Sequence, residues 1–310
     1  MRNKVRSEGL LLLCALIWGM ALVAQSVATK YIGPGTFQCI RSILALFVLF
    51  PLVLFRKRSG HRESVLQDQK EKSDRKRQSS RYYVIQGGML CGLVLSAASV
   101  LQQEGITYTT AGNAGFLTSI YLILVPVFSV INGKKVNRKL VIAVIIALLG
   151  VFIMNGGSQK ENSSYGVILL VLCAVLFAVH IMLIDHFVTV CDAIELSCAQ
   201  FLFSAVFSGI WMILAEDVMI KYVIAAAIPL LYAGIMSSGV AYTLQIIGQK
   251  AVEPSMATLL MSFESVFSLI GGILLLHETP NTSEVIGCLL MFLAVRVAQK
   301  ASEKSVGQRI

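Results

Sequence analysis

Charge is what this sequence has least of. Asp, Glu, Lys and Arg make up only 14% of its 310 residues, where a soluble domain carries about 25%. With 56% hydrophobic residues and a mean hydropathy of +0.76, little chain remains for a water-exposed domain. No GxGxxG opens a helix after a strand, which leaves a dinucleotide site unsupported. The four histidines, His61, His180, His186 and His277, lack metal-ligand spacing, and no metal or other cofactor is expected. The seven cysteines form no CxxC pair. Six fall in apolar segments and Cys191 between two of them, so a reduced or lipid setting without a disulfide framework is expected.

What is present is a series of long apolar runs. A helix needs about 20 apolar residues to cross a bilayer, and ten candidates occur at 9–27, 37–55, 83–102, 110–131, 140–156, 165–185, 195–215, 223–247, 256–276 and 283–299. Backbone groups in lipid must be bonded within the segment, which makes these runs helices. The expected fold is an all-α integral membrane protein. The net charge of +9 is unevenly placed. With the N-terminus inside, 22 of the 26 Lys and Arg residues fall in inner segments, the positive-inside pattern that puts both termini in the cytoplasm. The basic run 56–81 has few apolar residues and no aromatic platform. It reads as a solvated cytoplasmic linker, attracted to anionic headgroups, and not as a nucleic-acid site. Residues 1–24 mimic a signal peptide, but this segment has an internal copy, so an uncleaved first helix is expected.

That copy belongs to a repeat. Leu10, Cys14, Ala15 and Trp18 recur as Leu169, Cys173, Ala174 and Phe177, an offset of 159 that also pairs Cys39 with Cys198 and Arg41 with Gln200. Beyond the basic run the offset becomes 143, pairing Gln102 with Gln245, Gly105 with Gly248, Ser119 with Ser262 and Tyr121 with Glu264. Five spans are thus used twice, as residues 9–156 and 165–299 with a cytoplasmic tail 300–310. An odd number of spans obliges the second copy to run inverted, and inverted repeats place a substrate site at the midplane. The two segments best suited to form it are 102–128 and 245–274, apolar runs interrupted by Gly, Pro and polar residues in matching positions.

TTAGNAGFLTSIYLILVPVF from Thr109, IRSILAL from Ile40 and AYTLQIIGQKAVEPSMATLLMSFESVFSLIGGILLLHE from Ala241 resemble the EamA-type transporters of the drug/metabolite transporter superfamily over nearly all of 9–299. The resemblance implies ten helices in two EamA repeats, a central cavity with alternating access, and peripheral fifth and tenth spans, often at a dimer contact. One departure concerns the ninth span. The family commonly has Glu-Pro there and this chain has Glu264-Ser265, which removes the helix-breaking ring from any hinge.

Glu264 is the sharpest candidate. A carboxylate near the midplane must face a cavity or be neutral, so it is either a proton-coupling group or a carboxyl bonded to a neighbouring helix. Tyr121, its mate, would line the cavity with Thr118 and Ser262, or else pack in the bundle. Trp18 lies mid-span, away from the interfacial belt, and suits an aromatic wall as well as plain packing. Gln102 and Gln245 read as gates at opposite faces or as caps. Asn113 reads as an outer-gate contact or as interhelical glue. His180 reads as a proton relay or a satisfied packing residue, and Tyr242 completes the cavity set. Arg41, about one turn from the outer face, is expected to snorkel to headgroups, with an anionic substrate group as the alternative partner. Asp185 and His186 read as interface residues.

The sequence therefore points to a non-enzymatic secondary transporter in the plasma membrane. It would be a proton-coupled exporter of small organic metabolites such as amino acids or amphiphilic drugs, with the bilayer and a homodimer mate as partners. An intramembrane enzyme would need an acid–base constellation that Glu264 alone does not supply. A structural membrane protein would need neither a midplane carboxylate nor a cavity.

Overall fold

A computed structural model describes residues 2–64, 70–108, 111–133, 137–155, 164–276 and 282–307. These residues form helices joined by turns and short extended links, with no strand among them. Seven helices are long and apolar enough to cross a membrane: Val5–Ala28, Pro34–Phe55, Arg81–Thr107, Ser164–Phe187, Ala193–Ala215, Ala227–Gln249 and Pro254–Gly271. In chain order the helices are α1 (Arg2–Ala28), α2 (Pro34–Ser64), α3 (Lys70–Thr107), α4 (Ala111–Thr118), α5 (Tyr121–Ile131), α6 (Arg138–Asn155), α7 (Ser164–Phe187) and α8 (Ala193–Ala215). Then follow α9 (Ile220–Ala225), α10 (Ala227–Leu231), a π-helix over Tyr232–Ala241, α11 (Tyr242–Gln249), α12 (Pro254–Met261), α13 (Glu264–Leu276) and α14 (Thr282–Gly307).

Local chemistry explains several boundaries. The Asp192 carboxylate accepts from the N–H groups of Ile194 and Glu195 at 3.0 and 3.2 Å and caps α8. Pro254, with no N–H to lose, opens α12. Gly133, at φ +77°, ends the turn after α5 in the left-handed region. At the start of α2 the cap is supplied from 180 residues away. Both Glu216 oxygens take hydrogen bonds there, from Gly35 N at 2.6 Å and from Thr36 N and Oγ1 at 2.8 and 2.6 Å.

The runs at 110–131, 223–247 and 256–276 are not single uninterrupted α-helices. The first divides into α4 and α5 and the last into α12 and α13. The run near 223–247 passes through two short helices and the π-helix before α11. α3 continues through the polar residues after Leu101 to Thr107. The basic run also departs from a free linker, because α2 extends to Ser64 and α3 begins at Lys70. Residues 65–69 and the side chains of 56–80 lie outside those described.

Helices pack in lipid through small residues and interhelical hydrogen bonds, because lipid tails remove most of the hydrophobic drive. The α2–α8 seam follows that rule. Gln38 Nε2 donates to Ser204 Oγ at 2.9 Å, and Ser42 and Ser204 share a hydroxyl contact at 3.2 Å. Gly19 brings α1 against α13 so closely that a Cβ there would sit 2.6 Å from the Glu264 carbonyl oxygen. α6 and α14 pair along their length and turn Ile145, Leu149, Phe152, Leu289, Phe292 and Leu293 outward.

Candidate functional site

The break between α4 and α5 covers Ser119 and Ile120, and the break between α12 and α13 covers Ser262 and Phe263. These are the same positions at the 143-residue offset. Hydroxyl groups within each segment compete for the backbone. Ser119 Oγ donates to Gly115 O at 2.7 Å, and Thr118 Oγ1 to Ala114 O at 2.9 Å. Ser262 Oγ donates to Leu259 O at 2.8 Å, and Thr258 Oγ1 to Ser255 O at 2.9 Å. Such back-bonding bends helices. The main chain answers by shifting to i−3 bonds, Leu122 N to Ser119 O at 2.9 Å and Ser265 N to Ser262 O at 3.2 Å. The interruption at 262–263 thus forms without a proline at 265.

Each break delivers one side chain to a shared polar cavity, Tyr121 from α5 and Glu264 from α13. The cavity volume is about 50 Å³, room for a few waters. Much of its lining comes in mirrored pairs: Trp18 with Phe177, Gln102 with Gln245, Thr118 with Met261, and Tyr121 with Glu264. Gln25, Arg41, His180, Ile181, Ser237 and Tyr242 complete it.

Arg41 differs from expectation. It is 3% exposed and does not reach a headgroup layer. Its Nε donates to Ser238 Oγ at 2.9 Å, and its guanidinium lies beside the Tyr242 hydroxyl. The π-helix supplies this partner, since its wider turn presents both Ser237 and Ser238 toward the bundle interior. Trp18 also meets it, donating from Nε1 to Ser237 O at 3.4 Å, and packs against Tyr242 with ring centroids 4.8 Å apart and planes tilted by 58°. Tyr232 Oη donates to Ile17 O at 3.1 Å and Cys14 Sγ to Ala241 O at 3.0 Å, so three side-chain hydrogen bonds tie α1 to the π-helix. No sequence signal marks the π-helix, and its mirror positions, 89–98, lie in unbroken α3.

Glu264 makes no hydrogen bond to the described residues and is partly open to the cavity. Its carboxyl lies within electrostatic reach of Tyr121, Tyr242 and Cys173. His180 is satisfied at one nitrogen, with Nε2 3.1 Å from Gln200 Oε1, while its ring faces Tyr242 edge-on at 6.1 Å. Gln102 and Gln245 both line the one cavity, and the Gln245 amide oxygen is buried without a partner among the described residues. Ser262, expected in the cavity, is not among its lining residues, and its hydroxyl bonds Leu259 O at the break. The Asn113 side chain lies outside those described.

Gln25, Phe177, Ile181, Ser237 and Met261 were missed as lining residues. Phe177 and Met261 could have been found as the mirror mates of Trp18 and Thr118. Among the described residues no cluster of three or more His, Cys, Asp or Glu could hold a metal ion. With one carboxyl group, one guanidinium, three amides and three aromatic hydroxyl or indole groups, the lining offers partners to either charge of a small polar solute.

The sequence matches the EamA-like transporter family over residues 6–156 and again over 164–298. It is 27% identical over 292 residues to an uncharacterized transporter of Archaeoglobus fulgidus, covering 92% of this chain and 83% of that protein. It is 22% identical over 285 residues to the uncharacterized transporter YoaV of Bacillus subtilis, covering 89% and 90%. A crystal structure with a TM-score of 0.77 and 18% identity covers 97% of this chain and 98% of its own, a likeness of fold. Matched twice along nearly its whole length, and built of apolar helices able to span a bilayer, the chain belongs to the EamA-like transporter family of multi-pass membrane proteins.

Proposed function

We propose that this protein is a proton-coupled secondary transporter. It exports small organic solutes, amino acids or amphiphilic compounds, across the plasma membrane by alternating access between two inverted five-helix repeats. Both termini are cytoplasmic. The observation that carries this reading is the pair of interrupted helices, broken at equivalent positions and delivering Tyr121 and Glu264 to one cavity. Discontinuous helices at a repeat interface are how many secondary transporters build a midplane site.

Glu264 is the proton carrier in this scheme. Open to the cavity and without a hydrogen-bond partner among the described residues, it is placed to exchange a proton for a substrate ammonium group. Arg41, held by Ser238, receives a substrate carboxylate, and Trp18 with Tyr242 forms the wall for an apolar side chain. A cavity of about 50 Å³ admits waters but no amino acid, so loading requires the repeats to part. The outward apolar faces of α6 and α14 suit a second copy of the chain.

Counterflow of a labelled metabolite panel in proteoliposomes, with and without an imposed proton gradient, tests the proposal. Exchange of at least one zwitterionic or amphiphilic solute, accelerated by the gradient, is the expected result. Exchange indifferent to the gradient would remove proton coupling, and no exchange for any class would remove the transport reading for these solutes.

A further inference from the structure

A second cavity lies apart from the central one, at the end of the bundle where α2 and α7 begin and α8 ends. Its volume is about 580 Å³, within the range of small-molecule sites. Leu93, Ala97, Val100 and Leu101 of α3 supply an apolar floor. Tyr165 of α7 and Phe207 and Trp211 of α8 supply aromatic walls. Trp211 is 52% and Tyr165 53% exposed, so the groove opens to the surface of the bundle.

Two features point to a ligand. Ser96, 4% exposed, lines the floor, and its hydroxyl makes no hydrogen bond to the described residues, although a serine buried in a helix would ordinarily bond back to its own backbone. Among the described residues the rim carries carboxylates and no cation: Glu104 and Glu216 line the groove, and no lysine or arginine does. Glu216 is committed to the start of α2 through both oxygens. Among the described residues only Glu104 Oε1 is engaged, by the Tyr108 hydroxyl at 3.1 Å, and Tyr108 is in turn braced edge-on by Tyr165 at 5.2 Å. One carboxylate oxygen is therefore held in place and free beside aromatic faces, an arrangement that attracts an ammonium group through charge and through the ring quadrupoles.

We propose that this groove is a binding site for a single-tailed or drug-sized cationic amphiphile drawn from the membrane, its tail on the α3 floor and its ammonium group against Glu104 and Trp211. A diacyl lipid exceeds the volume, and an anionic or neutral amphiphile finds no partner at the rim. The site is separate from the Glu264 cavity and stands whether or not the transport reading holds.

Trp18 and Trp211 are the chain's two tryptophans, so the Trp18→Phe protein reports from the groove alone. Purified in a maltoside surfactant, which is uncharged, it is titrated with a nitroxide-labelled alkylammonium and with the matching labelled alcohol. Saturable quenching by the amine is expected, displaced by unlabelled dodecyltrimethylammonium and weakened about tenfold in Glu104→Gln. Glu264→Gln leaves it unchanged. Ser96→Leu, which fills the floor, abolishes it and serves in place of Glu104→Gln if that variant does not fold. If Trp18→Phe does not fold, comparing the unsubstituted protein with Trp211→Phe gives the same reading by difference. Quenching that never saturates, or that is equal for amine and alcohol, overturns the proposal, as does saturable quenching untouched by either groove variant.

Discussion

Tyr121 and Glu264 hold the same place in two interrupted helices: each is the first helical residue after the break, and both face one cavity. The two positions are mirrored in backbone and opposite in chemistry. A phenol stands where its mate is a carboxylate, so only one half carries the titratable acid, and proton coupling in the proposed cycle belongs to Glu264.

Glu264→Gln keeps the shape and removes the proton. Its expected effect is loss of gradient-driven accumulation with solute exchange retained, read by comparing active transport with counterflow in proteoliposomes. Accumulation that keeps its pH dependence would remove Glu264 from the coupling step.

Arg41→Lys retains a positive charge but not the planar fork that bonds Ser238 and meets a carboxylate in two-pronged fashion. We expect the KM for carboxylate-bearing solutes to rise about tenfold, a loss of one charge-assisted hydrogen bond, while solutes lacking a carboxylate are unaffected. Concentration-dependent transport rates for a solute and its amide decide it.

Gly19→Ala places a methyl group 2.6 Å from the Glu264 carbonyl. Because a backbone atom must move, about 1–3 kcal/mol of destabilisation follows. A lowered unfolding temperature in surfactant, with impaired transport, is the expected pair of readouts. Gly9→Ala, in open space, is the control.

Cys191 lies in the turn between α7 and α8. Burial first, and then the carboxylates of Glu195 and Asp192, push its thiol up to about 11. A raised value disfavours the thiolate, the reactive form. At pH 8 about one thiol in a thousand is ionised, where an unperturbed cysteine would give roughly one in ten. Maleimide labelling at this residue should be about a hundredfold slower than at a free cysteine and should rise only toward pH 11. Labelling rates in a protein with its other cysteines replaced measure it.

Composition was enough to read a helical membrane protein, and the Cys, Gln and Gly matches were enough to read the repeat. The same matches located the interrupted segments, because Ser119 and Ser262 are paired by offset alone. Arg41 was misplaced because distance along a span says nothing of which way a side chain points. What decided it was Ser238, 197 residues away and presented by a π-helix. That element is invisible to a reading by period, since Tyr232–Ala241 has the same apolar texture as its unbroken mirror in α3. The groove beside Trp211 was equally hidden, since it arises from how α3, α7 and α8 splay.

The π-helix has a thermodynamic consequence. Two like halves set head to tail would leave the inward-facing and outward-facing shapes equal in energy, each the reflection of the other. Ten residues of widened coil on one side only, stitched to α1 by Trp18, Tyr232 and Cys14, remove that degeneracy. On the inverted-repeat reading, the empty protein rests with a preferred face, and that bias is written into its backbone before any solute arrives.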